Sequence, residues 1–322
     1  MRFSRVHFVV IVALLATGCV GRSGATSSSS TERVAANPVP AETLTTAGDG
    51  ISGTSDASDE AEPARVALPE ISVNDRSVLM VANERLVAEC MAREGFQFVP
   101  LDLATAIGIA EAREDERRAD LPIDDAAEAT GYIQPRVDPG RAFDNDAYAN
   151  SLNDAARDAW SRAALGDFGD AITVNMPDGN QVSIPKAGCL SEARVALYGS
   201  VEDAMMFEMG IAGMRVAAMM TADADPDVVT ARADWVRCMS ASGWTFEHFT
   251  QARQYAYQHP DEALSVWTAD RTCSRSSGLR DAFGRALQQS VEDLVDENLG
   301  LIEQYESSVD QAIDRATDLL AS

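Results

Sequence analysis

Residues 90–98 read Cys-Met-Ala-Arg-Glu-Gly-Phe-Gln-Phe, and residues 238–246 read Cys-Met-Ser-Ala-Ser-Gly-Trp-Thr-Phe. In both stretches a cysteine and a methionine lie about one turn before a glycine, and an aromatic residue follows that glycine. A glycine at this place is typical of the left-handed residue that ends a helix. The repeat therefore predicts two helix ends, each held by a disulfide, with aromatic side chains folding back onto a core.

Each of these cysteines has a candidate partner later in its half of the chain. Residues 188–193 read Gly-Cys-Leu-Ser-Glu-Ala, and residues 269–273 read Ala-Asp-Arg-Thr-Cys. An even number of cysteines in an oxidising compartment favours two disulfides, and counting alone allows three pairings of four cysteines. The simplest pairing keeps each bridge within one half: Cys90–Cys189 and Cys238–Cys273.

The N-terminal 18 residues have the layout of a bacterial export signal. Arg2 and Arg5 supply positive charge, and an apolar run over 8–15 is followed by small residues. This run is too short for a membrane span, which takes about 20 apolar residues. Residues 15–19, Leu-Ala-Thr-Gly-Cys, resemble the lipobox of bacterial lipoproteins. We therefore expect cleavage before Cys19 and lipid, palmitate included, on that cysteine; the alternative is an ordinary signal with a chance cysteine.

Residues 19–70 are expected to tether the folded body to the outer, extracytoplasmic face of the cell membrane. Beyond the lipidated Cys19, small and polar residues dominate and large apolar residues are almost missing. Such a segment cannot bury enough surface to offset chain entropy, so a disordered linker is predicted. The body would then cover 71–322, with two halves at about 71–222 and 223–322.

Apolar spacing in the body predicts a mainly α fold with one small β-hairpin. Residues 172–184 alternate around Asp178-Gly179 and predict the hairpin, whereas 120–150 should be mostly loop. An apolar stripe over the final segment supports one long C-terminal helix, with weak points at Gly284 and Gly300. The predicted helices cover 75–91, 102–118, 153–165, 189–220, 225–243, 249–258, 261–273 and 279–320.

The chain is strongly acidic, with 26 Lys and Arg against 51 Asp and Glu and a formal net charge of −25. Removal of the signal takes away Arg2 and Arg5, so the mature charge becomes 24 − 51 = −27. Such a body is repelled by phosphate backbones and by anionic head groups. Since the sequence also lacks a basic stripe, a nucleic-acid partner is not expected.

Motifs for metal binding or catalysis are weak in this sequence. His248 and His259 are eleven residues apart without a His-Glu-x-x-His motif, so two surface histidines are the preferred interpretation. Asp223, Asp225 and Asp227 suit helix capping better than a calcium loop. Gly-x-Ser-x-Gly and phosphate-loop motifs are missing, and we predict no metal or other cofactor.

Six methionines crowd one helical segment. Methionine fills cores, forms adaptable docking surfaces and can bind Cu(I), and we favour these roles in that order. Together with the final helix, such residues could form a groove or a coiled-coil-like face for a partner. The candidate docking surface consists of Met205, Met206, Met209 and Met214, with Met219 and Met220 nearby.

The cysteine motifs together resemble those of a group of actinobacterial lipoproteins of unknown function. That group has a Cys-Met-x-x-x-Gly-aromatic motif, a Gly-Cys-x-x-x-Ala motif and a late Ala-Asp-x-x-Cys motif, here at 90–96, 188–193 and 269–273. The likeness extends over roughly 80–310. It implies export, lipidation and disulfides, and it assigns no catalytic residue.

These features favour a non-catalytic binding or adaptor role in the cell envelope, with an envelope protein or a cell-wall component as partner. The alternative is a hydrolase that cleaves cell-wall glycan or peptide with carboxylates, although spacing identifies no pair among so many acids. A cleft with a raised-pKa carboxylate would favour the hydrolase, whereas a flat apolar patch on paired helices would favour binding.

Overall fold

A computed structural model describes residues 66–123, 130–134, 136 and 139–321. These residues belong to one compact unit. The export signal, Cys19 and nearly all of the predicted tether lie outside the described residues. Within the described part, no helix combines the length and the hydropathy needed to cross a membrane.

The fold is mainly α with one two-stranded hairpin, as predicted. Its first part contains α1 (Val73–Arg93), α2 (Leu103–Ala119), α3 (Asn145–Ser151), α4 (Asp154–Leu165), β1 (Ala171–Asn175) and β2 (Gln181–Pro185). A helical run follows, with α5 (Cys189–Tyr198), α6 (Val201–Met205), a π-helical segment (Met206–Gly210) and α7 (Ile211–Asp223). The C-terminal part contains α8 (Pro226–Ala241), α9 (Phe249–Gln258), α10 (Ala263–Ser277), α11 (Leu279–Glu297) and α12 (Leu299–Ala321).

Side-chain caps explain where several helices begin. A polar side chain just before the helix accepts a hydrogen bond from a backbone N–H of the first turn, which otherwise has no partner. Asp225 has this role before α8, so the capping interpretation of its acidic segment is confirmed. The same arrangement occurs at Ser72, Asp102, Asp144 and Asn153.

The repeated motif forms two equivalent helix ends. Gly95 and Gly243 have φ values of 84° and 92°, in the left-handed region where a side chain would be strained. At the first end the Phe96 N–H donates to the Met91 carbonyl at 2.9 Å, and at the second Trp244 donates to Met239 at the same distance. This backbone pattern is the Schellman motif. The predicted helix ends are therefore confirmed.

Both predicted disulfides are present. Cys90 bonds to Cys189 and joins the end of α1 to the start of α5, with their Cα atoms 5.4 Å apart. Cys238 bonds to Cys273 and joins α8 to α10, with a Cα separation of 5.5 Å. Each bridge thus stays within its own half of the chain, as the simplest pairing required.

The predicted final helix is divided in two. Asn298 ends α11, where its side-chain amide donates to the Leu294 carbonyl at 2.8 Å. The two parts have different neighbours, since α11 packs on α7 whereas α12 packs on α1 and α5. The break at Asn298 lies two residues before Gly300, one of the predicted weak points. The long C-terminal helix itself is confirmed as α12.

Elements on either side of the predicted boundary at 222/223 pack on each other. Besides the α11–α7 contact, the segment after α2 joins the C-terminal helices, because Ile123 and Tyr132 are buried beside Trp235. The Arg253 side chain donates to the Leu121 carbonyl at 2.8 Å. Residues 120–123 and 130–134 are outside helices and strands, as the predicted loop requires, and they lie against the C-terminal part. Later in the predicted loop, α3 forms a short helix.

The hairpin covers one face of the methionine-rich segment. Its strands pair antiparallel with Val174 opposite Val182 and Ile172 opposite Ile184. The buried side of the hairpin packs on Val201 and Met205. This placement sets β1 beside α6.

Candidate functional site

A cleft of about 310 Å³ opens where the hairpin, the methionine-rich segment and the last helix meet. β1 forms one wall, α6 with the start of the π-helical segment forms the second, and α12 forms the third. The sequence had suggested a groove between the methionine-rich segment and the final helix, and this cleft lies between those elements. Its lining residues are Thr173, Val174, Asn175, Glu202, Asp203, Met206, Leu301, Gln304, Tyr305 and Ser308.

The polar side of the cleft is largely ordered by internal hydrogen bonds. The Gln304 amide donates to Asp203 Oδ1 at 3.0 Å and joins α12 to α6. The other carboxylate oxygen of Asp203 accepts from the Ser200 hydroxyl at 2.7 Å. Together with the exposed Glu202, this carboxylate makes that rim of the cleft negative.

One hydroxyl in the cleft has no partner. Ser308 Oγ is buried and makes no hydrogen bond within the described part of the chain. A buried polar group without a partner is costly, and in a cleft it can accept or donate a hydrogen bond to a ligand. Ser308 therefore places an unsatisfied, enclosed hydroxyl beside the cleft.

Tyr305 supplies an aromatic surface to the same cleft. Burial raises the pKa of its phenol to about 12, and the positive charges of Arg76 and Arg215 act in the opposite direction. The hydroxyl is therefore protonated and neutral at physiological pH. With Met206 and Leu301 it forms the apolar part of the lining.

The π-helical segment places Met206 at the cleft. Such segments are uncommon and often occur at functional sites. A side chain on Gly210 would meet the Met206 methyl group at 2.6 Å, so the glycine leaves space for that methionine. The local helix distortion and the glycine together determine the methionine's position.

The predicted methionine docking surface is corrected by the structure. Met205 and Met214 are fully buried, and Met206 and Met209 are partly buried against the hairpin cluster. Helical spacing shows that one face is apolar but does not show that the hairpin and α12 cover it. Of these four residues, Met206 reaches the cleft.

The exposed methionine of this segment is a different one. Met220 is 69% exposed, and Val216, one helical turn earlier on α7, is 55% exposed. Single apolar residues on a surface are common in soluble proteins. The two residues mark the solvent side of α7, away from the buried side that carries Met214.

The two histidines lie at opposite ends of α9. His248 caps the start of α9 and its Nε2 lies 3.2 Å from Asp223 Oδ1. His259 ends the helix, where its Nδ1 lies 2.9 Å from the Tyr255 carbonyl. Within the ranges that the structure describes, no group of three or more His, Cys, Asp or Glu residues could hold a metal ion.

A buried carboxylate that the sequence analysis did not single out lies in the core. Asp270, 1% exposed, accepts hydrogen bonds from Tyr132 at 2.7 Å, Trp235 at 2.8 Å and Ser274 at 3.0 Å. Burial raises its pKa, while these three donors act in the opposite direction. Its place in the Ala-Asp-x-x-Cys motif was the available signal. The residue joins α8, α10 and the segment 130–134, and it does not line the cleft.

No family model, no curated protein and no solved structure matches this chain. The lipobox and the resemblance to actinobacterial lipoproteins therefore stay predictions from sequence motifs.

Proposed function

We propose that this protein is a lipoprotein of the cell membrane whose folded body binds an envelope partner without catalysing a reaction. Cys19 would carry the lipid on the extracytoplasmic side, and the segment up to residue 70 would be the tether. The lipobox-like sequence and the resemblance to actinobacterial lipoproteins support this anchor. The two disulfides fit an oxidising compartment outside the cytoplasm.

The observation that carries the binding role is the mixed lining of the cleft. Its volume of about 310 Å³ lies at the lower end of the range of small-ligand sites. Apolar surface from Met206 and Tyr305 faces a negative rim of Glu202 and Asp203. A matching ligand combines an apolar part with an amine or another positive group, which a peptide segment of an envelope protein or of the cell wall can supply.

The hydrolase alternative has weaker support. Among the described residues, Asp270 is the carboxylate whose pKa is raised, and it is enclosed in the core with three hydrogen-bond donors. A catalytic acid must reach its substrate, so this residue does not meet the requirement. The cleft therefore supports binding better than cleavage.

Site-specific photocrosslinking in intact cells tests the binding role. A crosslinking residue at Leu301, in the cleft, should give one discrete adduct, and Glu202→Lys should remove it because the rim loses its negative charge. The matched control places the same residue at Leu264, which is 64% exposed on α10. The same adduct from both positions, or none from Leu301, would contradict the proposal. Release of soluble fragments from purified cell wall would instead favour the hydrolase.

The lipid anchor has a separate test. Cys19→Ala should lose the added lipid mass in intact-protein mass spectrometry and should move from the membrane fraction to the soluble fraction. If the variant lost the lipid mass and stayed in the membrane fraction, the proposed anchor would be wrong.

A further inference from the structure

Four arginines come together where α1 begins and α2 ends. Arg76 lies in the first turn of α1, while Arg113 and Arg117 lie one turn apart on α2. The Leu101 N–H, just before α2, donates to Glu84 in the middle of α1 at 2.8 Å, so α2 runs back toward the start of α1. The two helices pack on each other along this length.

Arg215 of α7 completes the group. Its guanidinium lies 3.4 Å from Glu70, which precedes α1 by a few residues. The pKa of Arg76 is lowered by burial above all, and the positive charges of Arg113 and Arg215 act in the same direction. Arg117 likewise has a lowered pKa, through burial and then through Arg76 and Arg215. We call these four residues the arginine cluster.

The arginine cluster has few counter-charges within the described part of the chain. Arg76 is half-buried and Arg113 is exposed, and neither guanidinium group makes an ion pair or a hydrogen bond with the described residues. Arg117 pairs with Glu114, but its Nε atom is buried without a partner. The Glu70 carboxylate that pairs with Arg215 is 74% exposed, so the ion pair contributes little to stability.

This local charge is opposite to that of the whole chain. With 51 acidic residues against 26 basic ones, most arginines should have carboxylate neighbours. Instead, the four positive charges of the arginine cluster have only Glu114 and Glu70 as ion-pair partners among the described residues, and the excess positive charge costs stability in the unliganded protein. A bound anion would remove this repulsion and supply acceptors to the unpaired guanidinium groups.

We propose that the arginine cluster is a binding site for a small phosphate-bearing anion. A guanidinium group presents parallel N–H donors that match the oxygens of phosphate, and several guanidinium groups can bind one phosphate group. The net charge of −25 repels an extended polyanion. At physiological ionic strength, salt screens charges that are more than about 8 Å away, so a small anion at the arginine cluster responds mainly to the local positive charge. None of the four arginines lines the cleft, although the charges of Arg76 and Arg215 reach the phenol of Tyr305, which does line it. The proposal does not depend on the identity of the cleft's ligand.

Calorimetric titration of the purified full-length protein with pyrophosphate, at physiological ionic strength, tests this site. Arg76→Met and Arg113→Met each remove one charge and should weaken binding by about tenfold or more, since each removes charge-assisted hydrogen bonds. The matched control is Arg157→Met on α4, a helix that packs near the opposite end of α1. Its affinity should equal that of the wild type.

A second readout separates a binding site from a structural cluster. Without ligand, Arg76→Met should raise the melting temperature because it relieves repulsion, although it weakens binding. The proposal fails if the wild type does not bind pyrophosphate, if the control loses as much affinity, or if citrate binds as tightly as pyrophosphate. It also fails if Arg76→Met lowers the melting temperature and leaves pyrophosphate affinity unchanged.

The source of the phosphate group can be distinguished with vesicles. The Cys19→Ser chain, which cannot be acylated at that position, is sedimented with phosphatidylglycerol vesicles and with neutral vesicles. Arg76-dependent sedimentation with the anionic vesicles would identify a lipid head group, whereas pyrophosphate binding alone would identify a soluble phosphate ester. Either result supports the site, and vesicle binding that Arg76→Met leaves unchanged would exclude the head group.

Discussion

The two disulfide-linked helix ends share one backbone geometry and differ in their surroundings. At the first, Phe96 packs into a cluster with Trp160, whereas at the second Trp244 stacks on Phe246 with ring centroids 6.1 Å apart. The first bridge spans 99 residues of sequence and the second spans 35. The comparison shows that a short motif determines the helix end, while the fold determines what the bridge connects.

Removal of each bridge should give the largest effects and should separate the two ends. In the chain-entropy treatment, a disulfide that closes a loop of 99 residues stabilises the folded protein by about 4.7 kcal/mol, and one that closes a loop of 35 residues stabilises it by about 3.8 kcal/mol. Cys90→Ala with Cys189→Ala should therefore cost about 1 kcal/mol more than Cys238→Ala with Cys273→Ala. Denaturant unfolding of the two double variants measures this difference. A reversed order would show that local packing outweighs loop length.

The buried polar group beside each bridge sharpens the comparison further. In the first half the Ser191 hydroxyl donates to the Pro185 carbonyl at 2.6 Å, whereas in the second half Asp270 accepts three hydrogen bonds. Asp270→Asn should reduce the free energy of unfolding by about 1–3 kcal/mol, because an amide N–H would face other donors. Ser191→Ala, which removes one hydrogen bond, should cost about 1 kcal/mol. Equal losses in the two variants would contradict this difference.

The Asp270 effect should depend on pH. Burial raises the folded-state pKa of this carboxyl above its ordinary value of 3.8, so the folded protein favours the protonated form. The contribution of this pKa difference to the free energy of unfolding is fully present below pH 3.8 and is lost as the pH rises through the raised pKa. The cost of Asp270→Asn relative to wild type should therefore be largest in acid and should shrink as the pH rises. Chemical denaturation across this range checks the sign.

Substitution of the two glycines should show how similar the helix ends are. Gly95 and Gly243 have positive φ, and a Cβ atom at either position would meet no atom within 4 Å. The cost of Gly→Ala is then backbone strain alone, about 1–2 kcal/mol at each position. Equal losses in thermal unfolding would confirm that the motif acts locally. A clear difference would show that the surroundings affect the turn itself.

The smallest effect should come from an ion pair at the first end. Arg93 and Glu192 pair across the bridge, with side chains 58% and 60% exposed. Exposed pairs contribute little, so Glu192→Gln should cost less than about 1 kcal/mol, and salt should reduce the loss. At the second end, Ala241 stands where the first end has Arg93. A larger or salt-independent loss would mean that this pair is part of the difference between the ends.

Local signals predicted much of the fold. The Asp225 cap, the hairpin around Asp178-Gly179 and the bounds of α9 each depend on residues close in sequence, and each is confirmed. Both disulfides were predicted for a related reason, because the repeated motif indicated a pair within each half. Interactions between residues close in sequence can be predicted from composition and spacing.

The candidate site was less predictable. Apolar spacing identified the methionine-rich segment but could not show that the hairpin and α12 bury Met205 and Met214. The Ser308 Oγ, which has no partner among the described residues, has no sequence signal, since a serine in a helix looks like any surface residue. The arginine cluster was hidden for a similar reason. Its members are scattered over 140 positions of a strongly acidic chain, and only helix packing brings them together.

The helical class, the helix caps, the hairpin and the two bridges could be predicted from the sequence, because they depend on neighbouring residues or on a repeated motif. The N-terminus also predicts the export signal and the lipid anchor, which are read from residue types alone. Packing determines where α11 gives way to α12, which methionines are buried, which donors Asp270 has and that Arg76 lies near Arg215. These features depend on contacts between residues far apart in sequence, and helical periodicity does not specify which faces meet.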